Sequence, residues 1–269
     1  MSLEVAIESM RYEPPRAQMK SYWLRRVFRL RALATPELLI EDFNLKVDTG
    51  EVLAVVGASA AGKTTLLRIM AGLENGYKGS VHFNGEPITK PDKRIYLMPQ
   101  AHTLLPWMSV ERNLLFNARD GDRSAADLLH TFGMTDRRDF FPHALSGGER
   151  ARVALMCAMC ANPEVLLLDE PFRGLDELTK DKCVGDLKVW LAATKEEESV
   201  VLVSHDISDA VFLADRVIVV RCRPLGVHRE FKSLGPKTRR TSELIAQEGA
   251  VYDALMEVAA QQAMQRTPL

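Results

Sequence analysis

"VVGASAAGKTTLLRIMAG", residues 55–72, decides the fold. Its centre, GASAAGKT, sets Gly57 and Gly62 at the fixed ends of a G-x-x-x-x-G-K-[ST] pattern and follows them with Lys63 and Thr64. The apolar run EVLAVVG before it has the length and composition of a buried strand, and TTLLRIMAG after it has the periodicity of a helix. In that setting successive backbone N–H groups and the helix N-terminus make a cradle for phosphate. The expected nucleotide-binding residues are therefore Gly57, Ala58, Ser59, Ala60, Ala61, Gly62, Lys63, Thr64 and Thr65, with Lys63 reaching the terminal phosphates and the Thr64 hydroxyl ligating Mg²⁺. Ala60 stands where glycine is often found. It would suffer only if the backbone there must take a positive φ or approach another group closely, so a competent loop is expected.

Outward from the loop, further short apolar runs read as buried parallel strands: VLLLDE ending in two carboxylates, SVVLVSHD ending near His205, and DRVIVV. Between them the chain turns periodic and polar, with SVERNLLFNA and SAADLLHTFGM as amphipathic stretches, so residues 101–162 are predicted as an inserted helical subdomain. The 269 residues suit one nucleotide-binding unit with a small satellite. With 35 basic against 36 acidic residues the balance gives no sign of a nucleic-acid partner. No uninterrupted apolar window is long enough to span a membrane, and MSLEVAIESM has no targeting character, so a soluble cytosolic chain is expected. The four cysteines are too few and scattered for a disulfide framework, and CAMC, Cys157 to Cys160, sits in an apolar helical run without a second ligand pair.

A phosphate loop alone leaves many families open. LSGGERARVALMCAMCANPEVLLLDEPFRGLDE, residues 145–177, narrows them. It resembles the ATP-binding-cassette ATPases, whose signature L-S-G-G-[QE] stands here as Leu145, Ser146, Gly147, Gly148 and Glu149. The matching pieces occur in the family's order: the phosphate loop, Gln100 after YLMP, the signature, VLLLDE, Gly174 to Asp176, and His205. The resemblance implies one α/β cassette across 1–269, built on a phosphate-loop NTPase core with an N-terminal antiparallel β portion and the helical insertion.

ATP hydrolysis needs a metal across the β and γ phosphates, a positioned water and donors for the charge that develops. Asp169 can hold Mg²⁺ beside Thr64, Glu170 can polarise the attacking water, Gln100 can touch both metal and water, and His205 can donate to the γ-phosphate. By the same resemblance Tyr12 stacks on adenine. Ser146, Gly147, Gly148 and Glu149, with Asp176, serve the ATP held by a second cassette paired head to tail, the pair being a homodimer or a homologous chain. Locally, SGG also reads as an ordinary helix cap.

After Gln100, AHTLLPWMSVERNLLF resembles the segment that in nitrate, sulfonate and taurine importer ATPases lies beside the permease's coupling helix. Leu104, Leu105, Trp107 and Met108 would be exposed anchors for it, although Trp107 also reads as a core residue of the helical subdomain. Implied partners are transmembrane permease subunits and, indirectly, a periplasmic binding protein, with the chain peripheral on the cytoplasmic face of the membrane. Another ABC transporter's ATPase, an exporter's included, and a soluble non-transport cassette are the alternatives. Three departures stand out: Glu149 where Gln is commoner, and Arg173 and Gly174 where Gly and Ala are usual. Residues 14–36 look like an insertion. From Arg16 to Arg31 it holds six basic residues and no acidic one, with Trp23, Val27 and Leu30 at helical spacing, which suits lipid headgroups or the permease as well as a solvated helix packed on the domain. Residues 222–269 read as a short C-terminal tail.

Overall fold

A computed structural model describes residues 2–12, 37–101, 104–118, 124–194, 198–232 and 241–266. The insertion expected at 14–36 falls wholly outside the described residues.

Two sheets organise the chain. The first is antiparallel: β1 (Ser2–Tyr12) pairs with β2 (Glu37–Asp48) on one side and β4 (Tyr77–Phe83) on the other, and β5 (Glu86–Pro87) completes the order β2-β1-β4-β5. The second has six strands in the order β10-β9-β3-β8-β7-β6. Here β3 (Val52–Val56), β6 (Ile95–Met98), β7 (Val165–Asp169), β8 (Ser199–Ser204) and β9 (Arg216–Arg221) run parallel, and β10 (Gly226–Lys232) closes one edge antiparallel. Successive side chains on a strand point to opposite faces. Val52, Ala54 and Val56 therefore join one apolar cluster while Leu53 and Val55 join another, and β7 and β8 divide in the same way. A sheet covered on both faces is what the near-continuous Val/Leu runs require.

The helix α1 (Lys63–Met70) follows the phosphate loop and sits in the same cluster as the antiparallel sheet, through Leu66, Leu67, Ile69 and Met70. On the other face lie α2 (Val110–Asn117), α3 (Ala125–Thr131), α4 (Gly147–Cys160), α5 (Glu177–Thr194) and α6 (Ile207–Leu213). Cys157 and Cys160 are buried in α4, where desolvation raises the Cys157 pKa far above its usual value. The C-terminal stretch is more than a short tail. It supplies β10 and the 25-residue helix α7 (Ser242–Arg266), which buries Leu244, Gln247, Val251, Ala254 and Val258 along one stripe. Three- and four-residue spacing puts those side chains on one helical face.

Candidate active site

Four segments remote in sequence meet because four adjacent parallel strands end together. β3, β6, β7 and β8 deliver Gly57, Gln100, Glu170 and His205 just beyond their C-terminal ends, where open α/β sheets place their ligands.

The loop after β3 begins the site. Gly62 has φ +101°, a conformation that a Cβ would strain. Lys63, only 5% exposed, donates from Nζ to the carbonyl oxygens of Gly57 at 2.8 Å and Ala58 at 2.9 Å. Burial lowers its pKa, against the opposing pull of the Glu170 and Asp169 carboxylates. Ala60 has φ +61°, so this position does take the left-handed backbone that glycine tolerates best. Thr64 donates from Oγ1 to Asp169 Oδ2 at 2.8 Å, joining loop and β7. Burial raises the Asp169 pKa, and the Thr64 hydrogen bond opposes that rise. A hydroxyl and a carboxylate oxygen in direct contact are the hard donors that Mg²⁺ takes, so this pair fits the ion.

Glu170 stands on a tight turn. Its N–H donates to Val203 O at 2.9 Å and its φ is +47°. One oxygen collects its polar neighbours: Oε2 accepts from Gln100 Nε2 at 3.0 Å and from Arg173 Nη1 at 3.0 Å, with His205 Nδ1 3.7 Å away. The last separation is too long for a hydrogen bond. A cavity of 440 Å³ opens over residues 59–65, walled by Leu39, Gln100, Glu170, Arg173 and Arg223. Tyr12 ends β1 opposite Glu37, and its side chain is outside the described residues.

Ser146, Gly147, Gly148, Glu149 and Asp176 do not line that cavity. Ser146 caps α4 with a reciprocal box: its hydroxyl accepts from Glu149 N–H, and Glu149 Oε2 accepts from Ser146 N–H at 2.8 Å. Glu149 Oε1 also accepts from Arg137 Nε at 3.0 Å. The Ser146 backbone N–H, then Arg137, hold the Glu149 carboxyl below its ordinary pKa. A Cβ on Gly148 would stand 2.7 Å from Thr179 Cγ2, so α4 starts hard against α5. Asp176 caps α5 by accepting from Thr179 N–H at 3.0 Å.

A family model described as "ABC transporter" matches residues 40–173. The aliphatic sulfonates import ATP-binding protein SsuB 1 of Mesorhizobium japonicum is 37% identical over 81% of this chain and 83% of its own length. The chain belongs to the ATP-binding-cassette transporter family. SsuB 1 of Xanthomonas axonopodis is 42% identical, covering 69% of this chain and 76% of its own. Among solved structures, the cassette MJ0796, in a dimeric post-hydrolysis state bound to ADP and Pi, aligns with TM-score 0.69 and 25% identity over 87% of this chain and 99% of that one. The cassette is thus an ATPase of this family, with the α/β architecture expected of it.

Other surfaces of the cassette differ from expectation. Trp107 is 68% exposed and is no core residue, whereas Leu104, Leu105 and Met108 are half-buried and Leu104 packs against the core. Asn113 fixes this stretch, bonding the N–H and carbonyl of Leu105 and the carbonyl of Met108. Leu39, Arg173 and Arg223 line the cavity without having been singled out as ligands from sequence. For Arg173 a signal existed, since it breaks the family pattern three residues after Glu170.

Proposed function

We propose that this cassette is the ATP-hydrolysing subunit of a bacterial importer of small anions, aliphatic sulfonates being the leading class. It works at the cytoplasmic face of the membrane as a head-to-tail pair of cassettes under permease subunits that are served by a periplasmic binding protein. The solute class rests on the names of the relatives. The hydrolytic role rests on one observation: the phosphate loop, with Thr64 bonded to Asp169 behind it, and the Gln100–Glu170 pair line a single cavity.

In this reading the N–H groups of residues 57–65 and Lys63 bind the phosphates. Lys63 already lies buried against its own loop's carbonyls, so exchanging them for phosphate oxygens costs little desolvation. Thr64 and Asp169 would hold Mg²⁺, with the Gln100 amide oxygen as a further donor to it. The bound ion would supply charge neutralisation for the phosphates. Glu170 accepts the proton of the attacking water, Gln100 orients that water, and His205 turns towards the γ-phosphate. Tyr12 stacks on the base. Ser146, Gly147 and Gly148 form a capped helix end that would meet the ATP of a partner cassette, with Glu149 and Asp176 shaping the ends of α4 and α5. Trp107 anchors the permease contact.

The test is Glu170→Gln. It is expected to keep ATP binding while slowing hydrolysis by about 10²-fold or more. Hydrolysis at the wild-type rate would refute the assignment. Recovery of the chain with a multi-span permease, and sulfonate-dependent ATPase activity in that complex, test the importer and its solute class.

A further inference from the structure

Among the described residues, Arg173 is the one basic side chain in direct contact with Glu170 that the hydrolytic reading leaves without a role. Its Nη1 lies 3.0 Å from Glu170 Oε2, and it walls the cavity. The contact belongs to a single turn: the Arg173 N–H donates to the Glu170 carbonyl at 3.1 Å, the Glu170 N–H is fixed to β8, and Gly174 follows with φ +76°. Both residues are therefore held by the same few backbone bonds. Gln100 reaches Glu170 from beyond the end of another strand, β6, so its grip depends on that segment's position.

The exposure of the two partners differs. Glu170 is 13% exposed at its side chain and Arg173 is 58%. An ion pair whose cation is that open to water does little for folding. It does restrict a rotamer, because a guanidinium donates in a fixed planar direction. Arg173 and Gln100 both occupy Oε2, which leaves Oε1 clear of both donors.

We propose that Arg173 is a positioning residue for hydrolysis: it holds Glu170 by Oε2 so that Oε1 faces the attacking water. The proposal rests on Glu170 being the group that activates water. Arg173 acts through Glu170 and makes no contact with the phosphates itself.

The test measures steady-state ATPase kinetics for Arg173→Ala and Arg173→Lys, each alone and in the Glu170→Gln background. Arg173→Ala is expected to lower kcat about tenfold, equivalent to about 1.4 kcal/mol, with KM for ATP within about twofold of wild type. Arg173→Lys should recover about a third of the rate, because it keeps the charge and loses the planar fork. Beside Glu170→Gln, replacing Arg173 should change the residual rate by less than about twofold, since coupled residues do not add. A tenfold loss of ATP affinity with kcat intact would make Arg173 a phosphate ligand and overturn the proposal. An equal tenfold loss of kcat in both backgrounds would overturn it too, as would a wild-type kcat for Arg173→Ala. If Glu170→Gln alone hydrolyses ATP normally, the water-activating role has failed, and positioning falls with it. If only additivity is seen, the role of Glu170 stands and that of Arg173 does not.

Discussion

Ala60→Gly should stabilise the cassette. Ala60 carries φ +61° in the middle of the phosphate loop, a conformation that costs an L-residue about 1–2 kcal/mol. Glycine removes that cost but gives the unfolded chain more freedom, a loss of about 0.5–1 kcal/mol. The difference leaves a net gain of about 0.5–1 kcal/mol. The side chain is exposed, so no packing is lost with the methyl group. For a chain of this size such a gain raises Tm by about 2 °C. The loop already holds the strained backbone before nucleotide enters, so affinity should move by about tenfold at most, or 1.4 kcal/mol. Calorimetric scans and nucleotide titrations of the two proteins under matched conditions decide it. A lower Tm for Ala60→Gly would mean that the position does not need a left-handed backbone, and ATP binding that appears only after the replacement would mean that the natural loop is impaired.

Glu149→Gln should cost about 0.5–1 kcal/mol at pH 7, the usual worth of a carboxylate in a first helical turn. The folded-state pKa of Glu149 is depressed, so its contribution is full above the unfolded value near about 4.3 and disappears as pH falls through the folded one. Urea midpoints at pH 7 and pH 3 should therefore show the gap closing in acid, and a gap that ignores pH contradicts the capping account. Gly148→Ala sets a methyl against the stiff side chain of Thr179 and should destabilise by about 1 kcal/mol, read as a shifted denaturation midpoint; an unchanged midpoint would show that α4 and α5 have room to spare. Trp107→Ala should leave the stability of the isolated chain within about 0.5 kcal/mol and its ATPase rate unaltered while reducing recovery with the permease, and undiminished recovery removes Trp107 from that contact.

The strands were legible because burial on both faces writes itself as composition. VLLLD is apolar up to its last residue and SVVLVS is apolar between its terminal serines, and the turn after VLLLD supplies Glu170, which lines the cavity. The strain at Ala60 was not legible, since alanine has no local preference for positive φ and the angle of +61° belongs to the folded loop rather than to the residue type. The long α7 hid for another reason. Its buried stripe is diluted by Gln247 and Ala254, while Ile245, Tyr252 and Met256 are exposed on other faces, so no single-sided periodicity stood out. Arg173 was visible as a departure from a pattern. Its partner was not, because a contact between residues three apart in an irregular turn depends on the turn's geometry. The difference between exposed Trp107 and half-buried Leu104, Leu105 and Met108 arises in the same way: Asn113 ties down the LLPW stretch through bonds to Leu105 and Met108 that no spacing rule contains.

The placement of the thiols makes the cassette its own reporter of opening. Cys157 and Cys160 lie inside α4 and Cys183 inside α5, all within the apolar layer on one face of the large sheet, while Cys222 is only half-buried after β9. Buried thiols react only in the fraction of time that their layer is open, so their alkylation rates report that equilibrium directly. Cys222 supplies the reference on the same molecule. Mass-resolved labelling of the wild-type protein, with and without ATP, would then measure the opening of the α4–α5 layer without any engineered probe.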